Sequence, residues 1–179
     1  DALDWAVANK RPGVPSVVSM SLGGDYDTIL NDAVQTVIEN GISVIAAAGN
    51  SATDACDVSP ASAPNVITVG AINSNYTFAS YSNRDIAGGP TCVSVLAPGT
   101  NIRSLAAWNS SGYLSQSGTS MATPVVSETV RERWFSMPAL IALLPIPLTT
   151  LAALLAARVA LNSRQVLGQD RKSTRLTPV

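Results

Sequence analysis

The sequence predicts an α/β domain in which a mainly parallel β-sheet is flanked by helices. Short apolar runs of strand length alternate with an amphipathic helical segment, a pattern typical of parallel strands joined by helical crossovers. The composition agrees with a buried core, because 46% of the 179 residues are hydrophobic and only 13% are charged. A chain of this length fits one such domain.

A strand, a helix and a second strand follow one another in the first third of the chain. Residues 16–20 form a β-branched run, and residues 42–48 form a second apolar run of strand length. Residues 27–40 lie between them and carry apolar side chains at intervals of three and four, which predicts an amphipathic helix. These positions are Ile29, Leu30, Ala33, Val34, Val37 and Ile38. The order predicts two parallel strands joined by a crossover.

Later segments extend this sheet. Residues 66–71 read as a third buried strand, and residues 93–96 and 102–105 read as two further short strands. The final ordered feature is a turn at Gly118 that leads into a helix just before Ser120. Taken alone, this serine is typical of a helix cap or a solvated hydroxyl.

The charge pattern argues against nucleic acid as a partner. The formal net charge is −1, and no stripe of basic and aromatic residues precedes the last sixteen positions. The chain contains no histidine, so the usual general base of a hydrolase is absent from it. Two glycosylation sequons begin at Asn75 and Asn109 and agree with an extracellular location.

Four segments, taken together and in order, resemble the subtilisin-like serine proteases (subtilases, peptidase family S8). They are residues 19–24 (SMSLGG), 47–50 (AAGN), 59–61 (SPA) with 69–71 (VGA), and 118–124 (GTSMATP). The chain is most similar to the disulfide-bearing branch typified by proteinase K and aqualysin. The resemblance implies a subtilisin-like three-layer fold that is incomplete, with its N-terminal part missing, and the activity of a serine endopeptidase.

By this resemblance, Ser120 is the nucleophile that forms an acyl-enzyme, and Asn50 donates a side-chain hydrogen bond in the oxyanion hole. Polypeptides are the implied substrates, with a preference for apolar or aromatic side chains before the scissile bond. The glycines also fit a plainer interpretation, close packing of strands. The implied substrate-binding residues are Ser21, Leu22, Gly23, Gly24, Ala47, Ala48, Gly49 and Thr119.

The two cysteines, Cys56 and Cys92, are compatible with two free thiols or with one disulfide. The resemblance implies the disulfide, and with it a secreted monomer whose signal peptide and propeptide lie upstream. The chemistry implied needs no cofactor. A structural calcium site is implied near Pro64 and Val66, but Ser94 stands where the branch has a carboxylate, so this site is predicted to be weak or absent.

The resemblance covers residues 1–124 and ends after Pro124. The family's catalytic Asp and His belong upstream of Asp1, where residues 1–9 already read as a helix, so we expect a truncated and nearly inactive fragment. Residues 125–179 are predicted to be a non-family tail from intron, frame-shifted or sequencing-adapter translation.

Two other interpretations remain open at this point. The missing base favours a catalytically dead pseudoprotease or a peptide-binding module. The uncharged, apolar stretch within residues 135–161 favours a membrane-anchored relative, although three prolines within it argue against a spanning helix.

Overall fold

The computed structural model describes residues 2–106 and 112–136, the last five of these by backbone alone. The predicted apolar stretch beyond residue 136 and the sequon at Asn109 lie outside the described residues. The helices are α1 (Ala2–Ala8), α2 (Thr28–Glu39) and α3 (Thr119–Ser136). The strands are β1 (Val17–Met20), β2 (Gly24–Asp25), β3 (Ser43–Ala47), β4 (Val58–Ser59), β5 (Ile67–Ile72), β6 (Val93–Pro98), β7 (Ile102–Leu105) and β8 (Tyr113–Gln116).

A four-stranded parallel sheet in the order β1-β3-β5-β6 forms the centre of the described chain. The predicted strand–helix–strand unit is confirmed, because β1 and β3 pair in parallel and α2 lies between them in sequence. Two small antiparallel pairs accompany the sheet, β2 with β4 and β7 with β8. Strand β8 was not predicted, since three of its four residues are exposed and it carries no apolar run.

Alternate residues of β3 define the two faces of the sheet. Val44 and Ala46 pack into one apolar cluster with buried residues of α2, and Ile45 packs into a second cluster with buried residues of α3. All three side chains are buried. Because successive side chains of a strand point to opposite faces, the sheet lies between two helical layers. This confirms the predicted α/β architecture of helix, sheet and helix.

Helix α2 begins and ends close to the positions that the sequence predicts. The carboxylate of Asp27 accepts hydrogen bonds from the backbone N–H groups of Ile29 and Leu30, at 2.8 and 3.3 Å. These contacts satisfy two of the amide groups that a helix start leaves without partners. The helix ends at Asn40, followed by Gly41 with φ of +74°, a conformation that glycine adopts without strain.

Helix α3 continues past Pro124, where the sequence resemblance ends, to Ser136. One face of α3 is buried, and three of the residues on this buried face carry hydroxyl groups. Thr123 and Ser127 each donate to the backbone carbonyl four residues earlier, at 2.8 and 3.0 Å. Such back-bonding satisfies hydroxyl groups that would otherwise be costly to bury. The buried residues are Thr119, Ala122, Thr123, Val126, Ser127 and Val130.

A disulfide joins Cys56 and Cys92, as the resemblance implied, with the two Cα atoms 5.4 Å apart. Carboxylates hold the backbone on both sides of the bond. Asp54 accepts from the N–H of Cys56 at 2.9 Å, and Asp85 accepts from the N–H of Cys92 at 2.8 Å. Among residues 2–106 and 112–136, no helix has the length and apolar character needed to cross a membrane.

Candidate active site

The candidate site lies at the carboxyl edge of the parallel sheet, where ligands of open α/β sheets commonly bind. Strand β1 ends at Met20 and leads to Ser21, and β3 ends at Ala47 and leads to Asn50. Helix α3 begins beside both of these strand ends and carries Ser120 in its first turn. The fold therefore brings together three segments that are 29 to 99 residues apart in sequence.

Ser120 and Ser21 exchange two hydrogen bonds. The hydroxyl of Ser120 donates to the backbone carbonyl of Ser21 at 3.0 Å, and the hydroxyl of Ser21 donates to the carbonyl of Ser120 at 2.9 Å. The second bond has a clear local cause. Pro124 has no N–H to give to the carbonyl four residues earlier, so the carbonyl of Ser120 is free for another donor. The hydroxyl of Ser21 takes that role and ties β1 to α3.

Asn50 lies against the same helix start. Its side-chain oxygen accepts from the backbone N–H of Thr119 at 2.8 Å and from the hydroxyl of Thr119 at 3.0 Å. The hydroxyl of Thr119 also accepts from the N–H of Gly49 at 3.3 Å. Because the oxygen of the Asn50 amide is held by these two donors, its NH₂ group points away from Thr119.

Two donors at or against the start of α3 have no hydrogen-bond partner among the described residues. Neither the side-chain NH₂ of Asn50 nor the backbone N–H of Ser120 donates a hydrogen bond to any other residue that the structure describes. Asn50 is exposed and Ser120 is half-buried. Helix starts favour negative charge, because their N–H groups lack partners within the helix.

The turn before Ser120 rests on a tight contact between backbones. The N–H of Gly118 donates to the carbonyl of Gly99 at 2.8 Å. A Cβ atom on Gly99 would lie 2.7 Å from the Cβ of Ala71 and 2.8 Å from the carbonyl oxygen of Gly118. Only glycine fits at position 99 without a shift of its neighbours. The contact fixes where α3 begins relative to β5 and β6.

The predicted substrate-binding residues fall into an exposed group and a buried group. Leu22 is 55% exposed, and Gly24 is also exposed at the rim of the site. Gly23 lies close to β4, where a Cβ atom would be 3.1 Å from the side chain of Val58. Gly23 thus fits the plainer interpretation of close packing too, although it is exposed like Leu22 and Gly24, and the substrate-binding roles of all three stay predictions.

The buried group is Ala47, Ala48 and Thr119, whose side chains are at most 3% exposed. The N–H of Ala48 already donates to the carbonyl of Val69 at 3.0 Å. Thr119 is buried and donates its backbone N–H and its hydroxyl to the side-chain oxygen of Asn50, and its substrate-binding role stays a prediction. Gly49 has φ of +103° and leads the chain from the buried strand to Asn50.

Asn83, which was not predicted from the sequence, is fully buried next to the loop that carries Asn50. Its backbone N–H donates to the carbonyl of Gly49 at 2.9 Å, and its side-chain oxygen accepts from the N–H of Ser51 at 2.9 Å. No periodic pattern marks this position. The only available signal was an amide residue within the polar segment that follows β5.

The residues at the predicted calcium site do not fit a calcium ion well. The hydroxyl of Ser94 donates to the carbonyl of Val66 at 3.3 Å, so that oxygen is already engaged, and Pro64 is exposed. Ser94 supplies no negative charge for a hard cation. Within the described part of the chain, no group of three or more His, Cys, Asp or Glu side chains could hold a metal ion.

A serine hydroxyl at a helix start, with an asparagine side chain hydrogen-bonded to the same helix start, is compatible with a serine hydrolase, which also requires a general base. The comparison with known families agrees with this class. The model of the Subtilase family, Peptidase S8, matches residues 1–131, and the chain belongs to this family of serine proteases. The match extends seven residues beyond the end of the sequence resemblance at Pro124; the origin of the following residues stays a prediction.

Several characterised proteins are similar to this chain. Alkaline serine exoprotease A of Vibrio alginolyticus is 46% identical over 125 residues, which are 70% of this chain and 22% of that protein. Subtilisin-like protease 2 of Pseudogymnoascus destructans is 48% identical over 112 residues, which are 63% of this chain and 27% of that protein. The chain thus spans about a quarter of the length of these curated relatives.

A solved structure confirms the fold. The crystal structure of a cold adapted subtilisin-like serine proteinase is 44% identical and superposes with a TM-score of 0.66. The aligned region covers 74% of this chain and 45% of that chain. The four-stranded sheet and its helices are therefore part of a subtilisin-like α/β fold, as the sequence predicted.

Proposed function

We propose that Ser120 is the nucleophile of an endopeptidase that cleaves peptide bonds through an acyl-enzyme. One observation carries this proposal. Within the described residues, neither the side-chain NH₂ of Asn50 nor the backbone N–H of Ser120 donates a hydrogen bond, and the Asn50 side chain is hydrogen-bonded to Thr119, the residue before Ser120. Together these two donors form an oxyanion hole, in which they stabilise the charge that develops on the attacked carbonyl oxygen.

In the first step, the Ser120 oxygen bonds to the carbonyl carbon of the substrate and loses its proton to a base. Collapse of the tetrahedral intermediate breaks the peptide bond, and the departing amine takes up a proton. Water then hydrolyses the acyl-enzyme. The hydroxyl first has to leave the carbonyl of Ser21, to which it donates at 3.0 Å.

The base does not come from this chain as a histidine, because none of its 179 residues is one. We place the base and its carboxylate partner in the upstream part of the whole protein, meaning the complete reading frame that contains this chain. The chain spans about a quarter of its curated relatives, which leaves room for such a part. Without the base we expect turnover to fall by about 10⁶, a magnitude measured in this same family, so the chain alone is nearly inactive.

Extended polypeptides are the proposed substrates. Leu22 and Gly24 are exposed at one rim of the site, where the backbone of an extended substrate can lie alongside them. Small residues at the strand ends favour an apolar or aromatic side chain before the scissile bond. The disulfide between Cys56 and Cys92 supports secretion, because such bonds persist in oxidising compartments.

Three further features belong to the proposal. The whole protein carries a signal peptide and a propeptide and acts as a monomer. The chemistry needs no cofactor. Calcium binds weakly or not at all near Pro64 and Val66, because Ser94 bonds to the Val66 carbonyl and contributes no charge.

The proposal is tested by the kinetics of peptide hydrolysis with the whole protein. Ser120→Ala removes the nucleophile and should reduce hydrolysis to background. Asn50→Ala removes one oxyanion donor and should lower kcat by about 10²–10³ at nearly unchanged KM, since the donor acts on charge that exists only in the transition state. Asn9→Ala changes an exposed asparagine in the turn after α1, and this matched control should retain the full rate.

Two results would contradict the assignment. Hydrolysis that survives Ser120→Ala would place the chemistry on another residue. A change in KM alone for Asn50→Ala would show that its amide binds ground-state substrate and does not stabilise an oxyanion.

A peptide-binding module without hydrolysis is the second candidate function. The absence of histidine from the chain favours it. This candidate predicts that the whole protein binds peptides, that the upstream sequence lacks Asp-Thr-Gly and His-Gly-Thr segments, and that no product appears. Sequencing the upstream reading frame separates the two candidates before any assay.

A further inference from the structure

Asn83 is a fully buried polar residue that the proposed chemistry does not use. We propose that it is a positioning residue for the oxyanion hole, acting on Asn50 without contacting the substrate. The inference rests on the proposed function of Asn50. It goes beyond that function by naming what holds the amide in place.

The contacts of Asn83 bracket Asn50 on both sides along the chain. Its backbone N–H donates to the carbonyl of Gly49, the residue before Asn50, at 2.9 Å. Its side-chain oxygen accepts from the N–H of Ser51, the residue after Asn50, at 2.9 Å. The same oxygen accepts from the N–H of Thr53 at 3.2 Å. One rigid, buried residue therefore fixes the backbone at both neighbours of the proposed oxyanion donor.

The NH₂ group of the Asn83 side chain is packed closely against Gly49. This group is buried without a hydrogen-bond partner and faces Gly49, where a Cβ atom would lie 2.4 Å away. A buried amide donor without a partner costs stability, and such groups call for an explanation. The side-chain oxygen of Asn83 accepts hydrogen bonds from the N–H groups of Ser51 and Thr53, and these bonds offset the cost of its unpaired NH₂ group, which packs against Gly49.

The segment that carries Asn83 also supports the nucleophile. The hydroxyl of Tyr81 donates to the carbonyl of Gly99 at 2.8 Å, and that carbonyl also accepts from the N–H of Gly118. Residues 81–83 thus touch both the loop that carries Asn50 and the turn that precedes Ser120. The same segment therefore holds both donors of the proposed oxyanion hole, Asn50 and the N–H of Ser120. The distance between these two donors is set by residues outside the site.

Steady-state hydrolysis by the whole protein tests the role of Asn83. Asn83→Ala should lower kcat about tenfold at unchanged KM, because misplacing a catalytic group by a fraction of an ångström weakens only transition-state contacts. The deciding measurement is the double variant with Asn50→Ala. If Asn83 acts through Asn50, adding Asn83→Ala to Asn50→Ala leaves kcat unchanged, since residues in one functional unit are non-additive.

A merely structural role predicts a different result, in which Asn83→Ala lowers kcat by the same factor in both backgrounds. That outcome overturns the inference, and so does an unchanged kcat in the single variant. If the alanine variant does not fold, Asn83→Ser takes its place, because its polar side chain is too short to reach Ser51. Its effect on kcat is again compared between the wild-type and Asn50→Ala backgrounds. Failure of the proposed function is recognised separately, by a wild-type protein that hydrolyses no peptide.

Discussion

Helix α2 begins at an aspartate whose carboxylate caps it, whereas α3 begins at Thr119, whose backbone N–H is capped by Asn50 from 69 residues away. The buried face of α2 is apolar apart from Asn31, with Val34 and Val37 in one core cluster. The buried face of α3 mixes apolar and hydroxyl side chains and contacts all four strands of the central sheet. The capping side chain of the first helix is local, and that of the second comes from a distant segment.

This difference explains which helix serves the site. The amide groups at the start of α2 are capped by the side chain of Asp27, and the backbone N–H of Asp27 also donates to the hydroxyl of Ser59 at 2.8 Å, away from the candidate site. The start of α3 is fixed by Ser21, Asn50 and Gly99, so any hydroxyl placed there meets the ends of three strands. The position of Ser120 is therefore a property of the assembled sheet.

Removal of the disulfide is expected to have the largest effect on stability. The effects of changes at the starts of α3 and α2 are then compared with it. Replacing Cys56 and Cys92 with serine releases a closure of 36 residues and should lower the free energy of unfolding by about 3–4 kcal/mol in the chain-entropy model. Because neither helix contains a cysteine, circular dichroism at low temperature should keep its helical signal. An unfolding midpoint that does not move would show that the bond does not constrain the chain.

Gly99→Ala tests whether the start of α3 depends on close backbone contact. Its new Cβ would lie within 2.8 Å of both Ala71 and Gly118, so we expect a loss of about 1–3 kcal/mol from overpacking. Urea unfolding of the full chain measures it. Gly24→Ala, which meets no atom within 4 Å, is the matched stability control. Equal losses of unfolding free energy for the two variants would show that close contact at Gly99 does not position the start of α3.

Asp27→Ala tests the contrasting claim, that α2 depends on a local cap. Two hydrogen bonds to the helix start are lost, and the expected cost is about 1 kcal/mol. Asp32→Ala removes the same charge from an exposed position of the same helix and should cost less. If both changes cost the same, charge and not capping would explain the effect.

Glu128 on the exposed face of α3 should give the smallest effect. Its hydrogen bonds with Arg131 hold the pKa of the Glu128 carboxyl below its usual value. A lowered folded-state pKa adds stability above the unfolded pKa, and this is lost as the pH falls through the folded pKa. Both side chains are more than half exposed, so Glu128→Gln should barely shift the urea midpoint at pH 7. A clear loss at pH 7 that persists at pH 3 would contradict an ion-pair origin.

The sequence predicted α2 and the parallel strands because each carries its own signal. Ile42, Val44 and Ile45 form an apolar run, and Asp27 precedes a helical stripe. The course of α3 past Pro124 was not predicted, since Thr123 and Ser127 do not read as core residues. They become core residues only when their hydroxyl groups bond to carbonyls of their own helix.

The candidate site shows the same division. Ser120 and Asn50 were found through motifs, and the structure brings them to one edge of the sheet. Asn83 was not found, because its importance lies in contacts with Gly49 and Ser51 that are distant in sequence. The buried position of Thr119 likewise depends on where α3 meets β3.

The central claim, a reactive hydroxyl at position 120, is tested most directly by a fluorophosphonate probe. The whole protein is incubated with the probe, digested, and analysed by mass spectrometry. We predict that the phosphonyl group is found on Ser120 and that Ser120→Ala prevents labelling. A folded, peptide-binding whole protein that carries no label, or that carries it on another residue, would contradict this account.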